Sequence, residues 1–403
     1  MADIYKAVKL TDKVYWVGAI DWTIRDFHGY TTHRGSTYNA YLILADKITL
    51  VDTVKAPFRE ELISRIASVV DPRDIKIIVS NHSEMDHTGC LYDLIDLVRP
   101  DQVVASTMGT KTLGDIYHRD RIITPIKDGG ELSLGNMSLR FMETRMLHWP
   151  DSMFSYLPEE EILFSHDAFG MHLATAERFD DEIDPAILDY EGATYFANII
   201  LPYAPLVTRL LSRVGSSGMT FKFIAPDHGP IWRRDIPGVI ANYGRWAAQK
   251  PTMKSVVVYG TMWHSTERMA RAICEGLAAA GAAAKCMSMD VFHRSDVAYE
   301  ALDAGALIVG SSTLNNNMLP QVADVLTYLK GLRPANILGA AFGSYGWSGE
   351  AAVHIADILK EMKAAPVAEP LKVQHVPTDD DLRKCYALGE EIARKLKENK
   401  EDA

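Results

Sequence analysis

The segment Asn81-His82-Ser83-Glu84-Met85-Asp86-His87 places four potential metal ligands within six positions, directly after the apolar run Ile75–Ser80. A turn at the end of a strand can aim alternate side chains at one point, so His82 and Glu84 can meet one metal while Asp86 and His87 meet another. Two metals are implied. An accidental cluster of imidazoles and carboxylates on a surface loop is the competing explanation. Three further positions weigh against it. His148 sits in Leu147-His148-Trp149-Pro150-Asp151-Ser152, Asp167 follows Ile162-Leu163-Phe164-Ser165-His166, and His228 follows Phe223-Ile224-Ala225-Pro226-Asp227, each in a loop just after a strand-like run.

The second half carries a different chemistry. It has no G-x-G-x-x-G after its first strand, which counts against a Rossmann nucleotide site, and shows instead Tyr259-Gly260-Thr261-Met262-Trp263-His264-Ser265-Thr266-Glu267. Hydroxyls and backbone N–H groups at a helix start can cradle a dianionic phosphate, because the helix terminus supplies unpaired donors and a partial positive charge. The same Ser and Thr residues would also serve as the N-cap of a helix over Thr266–Ala280. Two later loops favour a ligand: Ser311-Ser312-Thr313-Leu314-Asn315-Asn316-Asn317 and Gly343-Ser344-Tyr345-Gly346-Trp347-Ser348-Gly349. In a doubly wound sheet such loops converge at the carboxyl ends of the strands. One polar loop with amides and one Gly-rich loop with aromatics can hold and stack a planar ring. Roughly residues 254–400 are similar to the short-chain flavodoxins, which bind FMN. The candidate FMN contacts are Thr261, Met262, Trp263, His264, Ser265 and Thr266, then Ser312, Thr313, Leu314, Asn315 and Asn316, then Ser344, Tyr345, Gly346 and Trp347.

The elements that must position these residues follow two rhythms. In the first half, strand-like runs at Val14–Gly18, Asn39–Leu44, Lys47–Val54, Ile75–Ser80, Gln102–Ala105, Leu132–Met142 and Phe221–Ala225 are separated by turn residues such as Gly129-Gly130 and Gly135-Asn136. Phe58–Val70 and Gly89–Val98 read as crossover helices, which predicts a layered α/β sandwich. From about Lys254 the pattern becomes strand, polar or Gly-rich loop, helix, with strands at Ser255–Gly260, Ala306–Gly310 and Ile337–Gly343: a doubly wound parallel sheet. Met269, Ile273 and Leu277 recur every four residues and predict one buried face of the helix Thr266–Ala280. Val239–Gln249 reads as a connecting helix with Pro251 at the boundary, giving domains at 1–250 and 251–403, and Lys395–Asp402 as a solvated helix end.

Composition narrows the class. At 403 residues the chain fits two domains. No apolar run is long enough to span a membrane and no signal-like start is present, so a soluble cytoplasmic protein is expected. The net charge of −11 opposes nonspecific binding of nucleic acid. Cys90, Cys274, Cys286 and Cys385 form no C-x-x-C pair and read as reduced thiols.

The first half, roughly residues 1–250, resembles the metallo-β-lactamase superfamily, in which a H-x-H-x-D-H loop and later His, Asp and His residues build a two-metal site. That resemblance implies an αββα sandwich. Here Glu84 stands where the superfamily loop has its second histidine, replacing a borderline nitrogen donor by a hard anionic oxygen, which favours iron over zinc. The H-x-E-x-D-H variant is similar to that of the flavodiiron proteins, and the likeness extends over nearly the whole chain. It implies that His82, Glu84 and His148 bind one iron, that Asp86, His87 and His228 bind the other, and that Asp167 bridges them. His166 and Asp227 adjoin matched ligands and would point the other way on an extended chain.

By the same resemblance the chain reduces dioxygen to water or nitric oxide to nitrous oxide at a non-haem diiron site, with electrons relayed through FMN. No rubredoxin domain follows the flavodoxin-like half, so a separate rubredoxin or a reduced deazaflavin is the implied donor. His28 and Tyr195 are candidates to line the open side of the metals, or equally a loop histidine and a packed aromatic. The short link Val239–Gln249 gives little freedom to bring flavin and metal loops together within a chain, whereas a head-to-tail homodimer does so by symmetry, and the family implies this arrangement too. The rival reading is a di-zinc hydrolase fused to a flavin domain, against which Glu84 argues.

Overall fold

Alternation along the N-terminal strands sends side chains to two different cores. In Tyr41–Ile43, Leu42 packs among Leu62, Ile66, Leu94 and Ile95 of helices Arg59–Ala67 and Leu91–Val98, while Tyr41 and Ile43 turn to the opposite face. Leu50 and Ile78 follow Leu42, and Val51 and Val79 follow Tyr41, as a period of two requires. The structure, a computed structural model, describes residues 4–119 and 123–401.

Those strands belong to a seven-stranded sheet in the order Val8–Lys9, Val14–Trp16, Tyr41–Ile43, Thr49–Val51, Ile77–Ser80, Gln102–Ser106 and Thr124–Ile126, parallel from Thr49–Val51 onward. A five-stranded sheet, Glu131–Ser133, Ser138–Glu143, Met153–Leu157, Ile162–His166 and Phe223–Pro226, supplies Leu139, Phe141, Phe164 and Ala225 to the core shared with Tyr41, Val51 and Val79. This is the metallo-β-lactamase-like sandwich. The run Leu132–Met142 is two strands rather than one: Leu134 N–H donates to the Met137 carbonyl around Gly135, whose φ of 95° suits a turn. Leu134 and Met137 are both buried, so the turn is flanked by core residues and looks like a continuous strand. Helices Thr107–Tyr117, Pro185–Tyr195 and Ala204–Ser216 lie beyond the expected elements, although Val207, Leu210 and Val214 of the last are buried at helical spacing.

The other unit is an all-parallel sheet in the order Ala283–Ser288, Lys254–Gly260, Ala306–Ser311 and Leu338–Tyr345, the last pairing with both Ala365–Pro366 and Leu371–Gln374. This is the flavodoxin order, with its switch point beside Lys254–Gly260. Met269, Ile273 and Leu277 of helix Ser265–Ala279 are fully buried. That helix meets Asp379–Glu401 backbone to backbone: a Cβ on Gly276 would lie 2.0 Å from the Tyr386 carbonyl oxygen, so only glycine fits. The terminal helix covers the tail up to Glu401, and Asp402 lies outside the described residues.

Two compact units emerge: the described residues up to Phe27 with Thr32–Tyr195 and Pro205–Gly244, and His28–Thr31 with Phe196–Ala204 and the described residues from Arg245. The helix Ile236–Ala248 occupies the place of the expected linker. Among the described residues no helix is long and apolar enough to cross a membrane, and the four cysteines form no disulfide.

Candidate metal and flavin sites

Each candidate ligand emerges at a strand end or from a loop fastened to one. Strand Ile77–Ser80 runs into Asn81, whose backbone N–H and side-chain amide both donate to the Asp52 carboxylate at 2.7 and 2.9 Å. The next residues close into a helical turn, Met85–Thr88, so Asp86 and His87 are presented by a helix start rather than by extended chain. Thr53 Oγ1 donates to the His87 carbonyl at 2.5 Å and holds this turn against the first sheet. Asp167 follows Ile162–His166, and His228 follows Phe223–Pro226 on the adjacent parallel strand. The His148 loop is closed by Thr144 N–H to the Ser152 carbonyl at 2.9 Å.

These residues converge in two groups whose ligand atoms lie within 4.8 Å of one another: His82, Glu84, His148 and Asp167, and Asp86, His87 and His228. Asp167 faces both. Its Oδ2 lies 3.3 Å from His82 Nε2 and 3.0 Å from His148 Nε2, and its Oδ1 lies 3.2 Å from His87 Nε2 and 3.4 Å from His228 Nε2. Glu84 Oε2 approaches His82 and His148 at 3.1 and 3.2 Å. Asp86 Oδ2 approaches His228 Nε2 at 3.1 Å. The Nδ1–H of His228 donates to the Thr37 carbonyl at 2.6 Å, so its other nitrogen is left to the group.

The electrostatics ask for cations. Glu84, Asp86 and Asp167 are buried together, and three carboxylates out of water need compensating charge. Both oxygens of Asp86, Oδ1 of Asp167 and both nitrogens of His87 have no hydrogen-bond partner among the described residues. Burial works against protonation of His87, yet the charges of Asp86, Asp227 and Asp167 push it up to about 10. His82 and His148 are likewise raised against the pull of burial, by the neighbouring carboxylates. Such a cluster would bind protons in place of a metal, and seven ligands in two groups fit a pair of metals.

His166 is buried, and burial drives it down to about 3. Its Nδ1 accepts from Asp167 N–H at 2.7 Å and its Nε2–H donates to Thr144 Oγ1 at 2.8 Å, so neither nitrogen is available to a metal. Asp227 also stands outside both groups, 3.6 Å from His87 Nδ1. Tyr195 is buried, its ring 6.3 Å from that of His228, whereas His28 belongs to the other unit. Sequence reasoning missed His172, whose Nδ1 is 2.7 Å from Ser36 Oγ and whose ring is 4.4 Å from His228. No spacing announces it, since Ser36 and His172 are 136 residues apart.

In the flavodoxin unit a cavity of about 440 Å³ is lined by Met262, Trp263, Ser265, Ser312, Thr313, Asn315, Asn316, Ser344, Tyr345, Gly346 and Trp347, and also by Ser348, His375 and Val376, which the sequence reading lacked. Thr266 lies behind it, its Oγ1 within 3.0 Å of Ser312 Oγ and 2.8 Å of Ser344 Oγ, tying the three loops together. His264 turns outward to Glu267, and Leu314 is engaged with Asn317. Thr261 Oγ1 is shielded from solvent and has no hydrogen-bond partner among the described residues, an unused donor in the loop before helix Ser265–Ala279. Trp263 and Trp347 are 86% and 90% exposed. Such aromatic faces at the mouth of a cavity suit a planar ring between them.

A two-group metal cluster on a metallo-β-lactamase-like sandwich, in one chain with a flavodoxin sheet, defines a class of metal-dependent flavoproteins. Comparison with known proteins narrows it. Residues 37–229 match the ODP family beta lactamase and residues 257–389 match flavodoxin, which implies a flavin. The chain is 47% identical to a nitric oxide reductase of Moorella thermoacetica, over 96% of this chain and 98% of that one. Among solved structures it is similar to the rubredoxin oxygen:oxidoreductase of Desulfovibrio gigas (44% identity, TM-score 0.96, covering 98% and 99% of the two chains). It also matches the flavodiiron protein from Giardia intestinalis (34% identity, TM-score 0.95, 98% of each chain). The chain belongs to the flavodiiron protein family.

Proposed function

We propose that this protein reduces dioxygen to water, or nitric oxide to nitrous oxide, at a diiron centre held by His82, Glu84, His148, Asp86, His87 and His228 with Asp167 between the metals. The observation that carries the reading is Asp167, whose two oxygens face separate ligand groups. Glu84 supports iron over zinc by its hard anionic oxygen. Relatives named as a nitric oxide reductase and a rubredoxin oxygen:oxidoreductase support both gases and a rubredoxin donor, with reduced deazaflavin as the other candidate.

When bound, two ferrous ions and a reduced FMN supply the electrons, up to four for one dioxygen and two for a pair of nitric oxides. The chain's own residues supply the rest. Glu84, Asp86 and Asp167 balance positive charge, Thr37 fixes the outward nitrogen of His228, and the buried Tyr195 packs beside the His228 ring. Ser265 and Thr261 offer hydroxyls for the FMN phosphate, Thr266 ties the loops together behind them, and Trp263, Tyr345 and Trp347 provide ring faces.

In this reading residues 1–250 form the diiron domain and 251–403 the FMN domain, and the working unit is a head-to-tail homodimer in the cytoplasm, where reduced thiols are at home. Iron-loaded protein should hold about two irons and one FMN per chain, and anaerobic reduction followed by exposure to each gas separately should show which is turned over. Zinc alone, with no turnover after iron reconstitution, refutes the reading. For the dimer, a chain lacking His82 and Glu84 is paired with one altered at Thr261 and Ser265. Recovered turnover supports transfer between chains. Inactive mixed dimers, alongside active pairs of wild type with a doubly defective chain, place it within one chain.

A further inference from the structure

We propose that Asp151 is a positioning residue for the group formed by His82, Glu84, His148 and Asp167: its carboxylate orients His82 and welds together the two loops that carry three of those ligands. The proposal rests on the two-metal reading and adds a residue to it. Asp151 lies in the His148 loop and is 2% exposed. Ser83 N–H donates to Asp151 Oδ2 at 2.6 Å, so a side chain from the His148 loop grips the backbone between His82 and Glu84. Ser106 Oγ donates to the Asp151 carbonyl at 2.7 Å and anchors the same residue to the end of strand Gln102–Ser106.

The same Oδ2 stands 3.6 Å from His82 Nδ1, while His82 Nε2 faces Glu84 and Asp167 at 3.1 and 3.3 Å. One ring nitrogen therefore looks into the ligand group and the other at a buried carboxylate. A ligating imidazole is neutral and keeps its proton on the nitrogen away from the metal, where a carboxylate fixes both tautomer and ring plane. At 3.6 Å the contact is longer than a hydrogen bond and acts through charge. The loops, by contrast, are joined by a full hydrogen bond. Asp227 stands at the same 3.6 Å from His87 Nδ1 in the other group, but neither of its carboxylate oxygens has a hydrogen-bond partner among the described residues. Asp151 differs in clamping chain to chain, so its loss should be felt by one metal more than by the other.

The test uses full-length protein loaded with ⁵⁷Fe, as wild type, Asp151→Asn and Ser106→Ala. Asparagine keeps an oxygen for Ser83 N–H and removes the charge, while Ser106→Ala loosens the same residue without touching the carboxylate. Each protein is challenged with graded chelator, and iron per chain, the Mössbauer spectrum, FMN content and the unfolding transition are followed. Asp151→Asn should release one of its two irons at about 10- to 100-fold lower chelator and alter one quadrupole doublet, with FMN and unfolding as in wild type. Ser106→Ala should weaken the same iron less. Both irons held as in wild type by Asp151→Asn, or both weakened equally, would overturn the proposal. Wild-type protein that holds no pair of irons sinks the two-metal reading instead.

Discussion

Metal uptake by this protein should be a proton-release reaction. In the metal-free cluster His87 stands at about 10, because the charges of Asp86, Asp227 and Asp167 prevail over burial. At pH 7 that leaves on the order of one ring in a thousand neutral, so a metal at Nε2 must displace a proton against about 4 kcal/mol. His82 and His148 are raised as well and add to the count. A raised imidazole is protonated below its own value and neutral above it, so the proton competes with the metal at neutral pH and ceases to compete as pH approaches about 10. Apparent affinity therefore strengthens as pH rises and fades as it falls. Filling both metal positions at pH 7 should therefore release at least about one proton per chain, from His87, with His82 and His148 adding to it. Anaerobic titration of metal-free protein with ferrous iron, followed by an indicator dye in weak buffer, reads that number. Calorimetry in two buffers of different ionisation enthalpy checks it. Release of fewer than about one proton per chain, or an affinity flat between about pH 6 and pH 8, would refute the argument that buried carboxylates hold protons in place of metal.

Replacing Glu84 by His should raise zinc retention and lower gas reduction, because it substitutes a nitrogen donor for a hard oxygen; unchanged iron content and turnover would show that Glu84 is not a ligand. Asp167→Ala should abolish most turnover while Cys90→Ala, at a buried thiol outside both ligand groups, loses little, and equal losses would contradict the bridging role. Thr261→Val removes an unpartnered hydroxyl at the phosphate loop and should weaken FMN by about tenfold, measured by fluorescence during flavin titration. Gly276→Ala drives a methyl to 2.0 Å from the Tyr386 carbonyl oxygen and should lower stability by about 1–3 kcal/mol in denaturant unfolding, with iron content unchanged.

Much of the metal cluster was legible because its ligands obey a local rule: each follows an apolar run, and strand ends project side chains from one edge of a sheet. Four of them also crowd into six positions. What was not legible depends on distance through space. Ser36 reaches His172 and Asp52 reaches Asn81 only once the sheets are assembled. Helix Thr107–Tyr117 escaped for a related reason. It contains Gly109 and Gly114 and little apolar periodicity, and its start is fixed by Ser106 Oγ accepting from Gly109 N–H at 2.9 Å. In the flavin cavity, His375 and Val376 come from the far side of strand Leu371–Gln374, well beyond the loops whose composition drew attention.

The two strands that end at Asp167 and His228 also explain why every ligand there has a titratable neighbour that is not one. Ile162–His166 and Phe223–Pro226 run parallel with His166 opposite Pro226, and Asp227 N–H donates to the His166 carbonyl at 2.7 Å, so the pairing continues past the strands into the ligand positions. A register irregularity between Phe164 and His166, whose φ is 42°, interrupts plain alternation here, and Asp167 and His228 face the cluster while His166 and Asp227 stand outside both ligand groups. Those positions are used. His166, neutral and held by Thr144, receives the Asp167 backbone N–H, and Asp227 stands behind His87, a ligand carried by a different loop. Asp151 does the same for His82 from a third loop. The cluster is therefore braced crosswise: His166 supports the backbone of Asp167, while Asp227 and Asp151 stand behind His87 and His82, ligands carried by other loops.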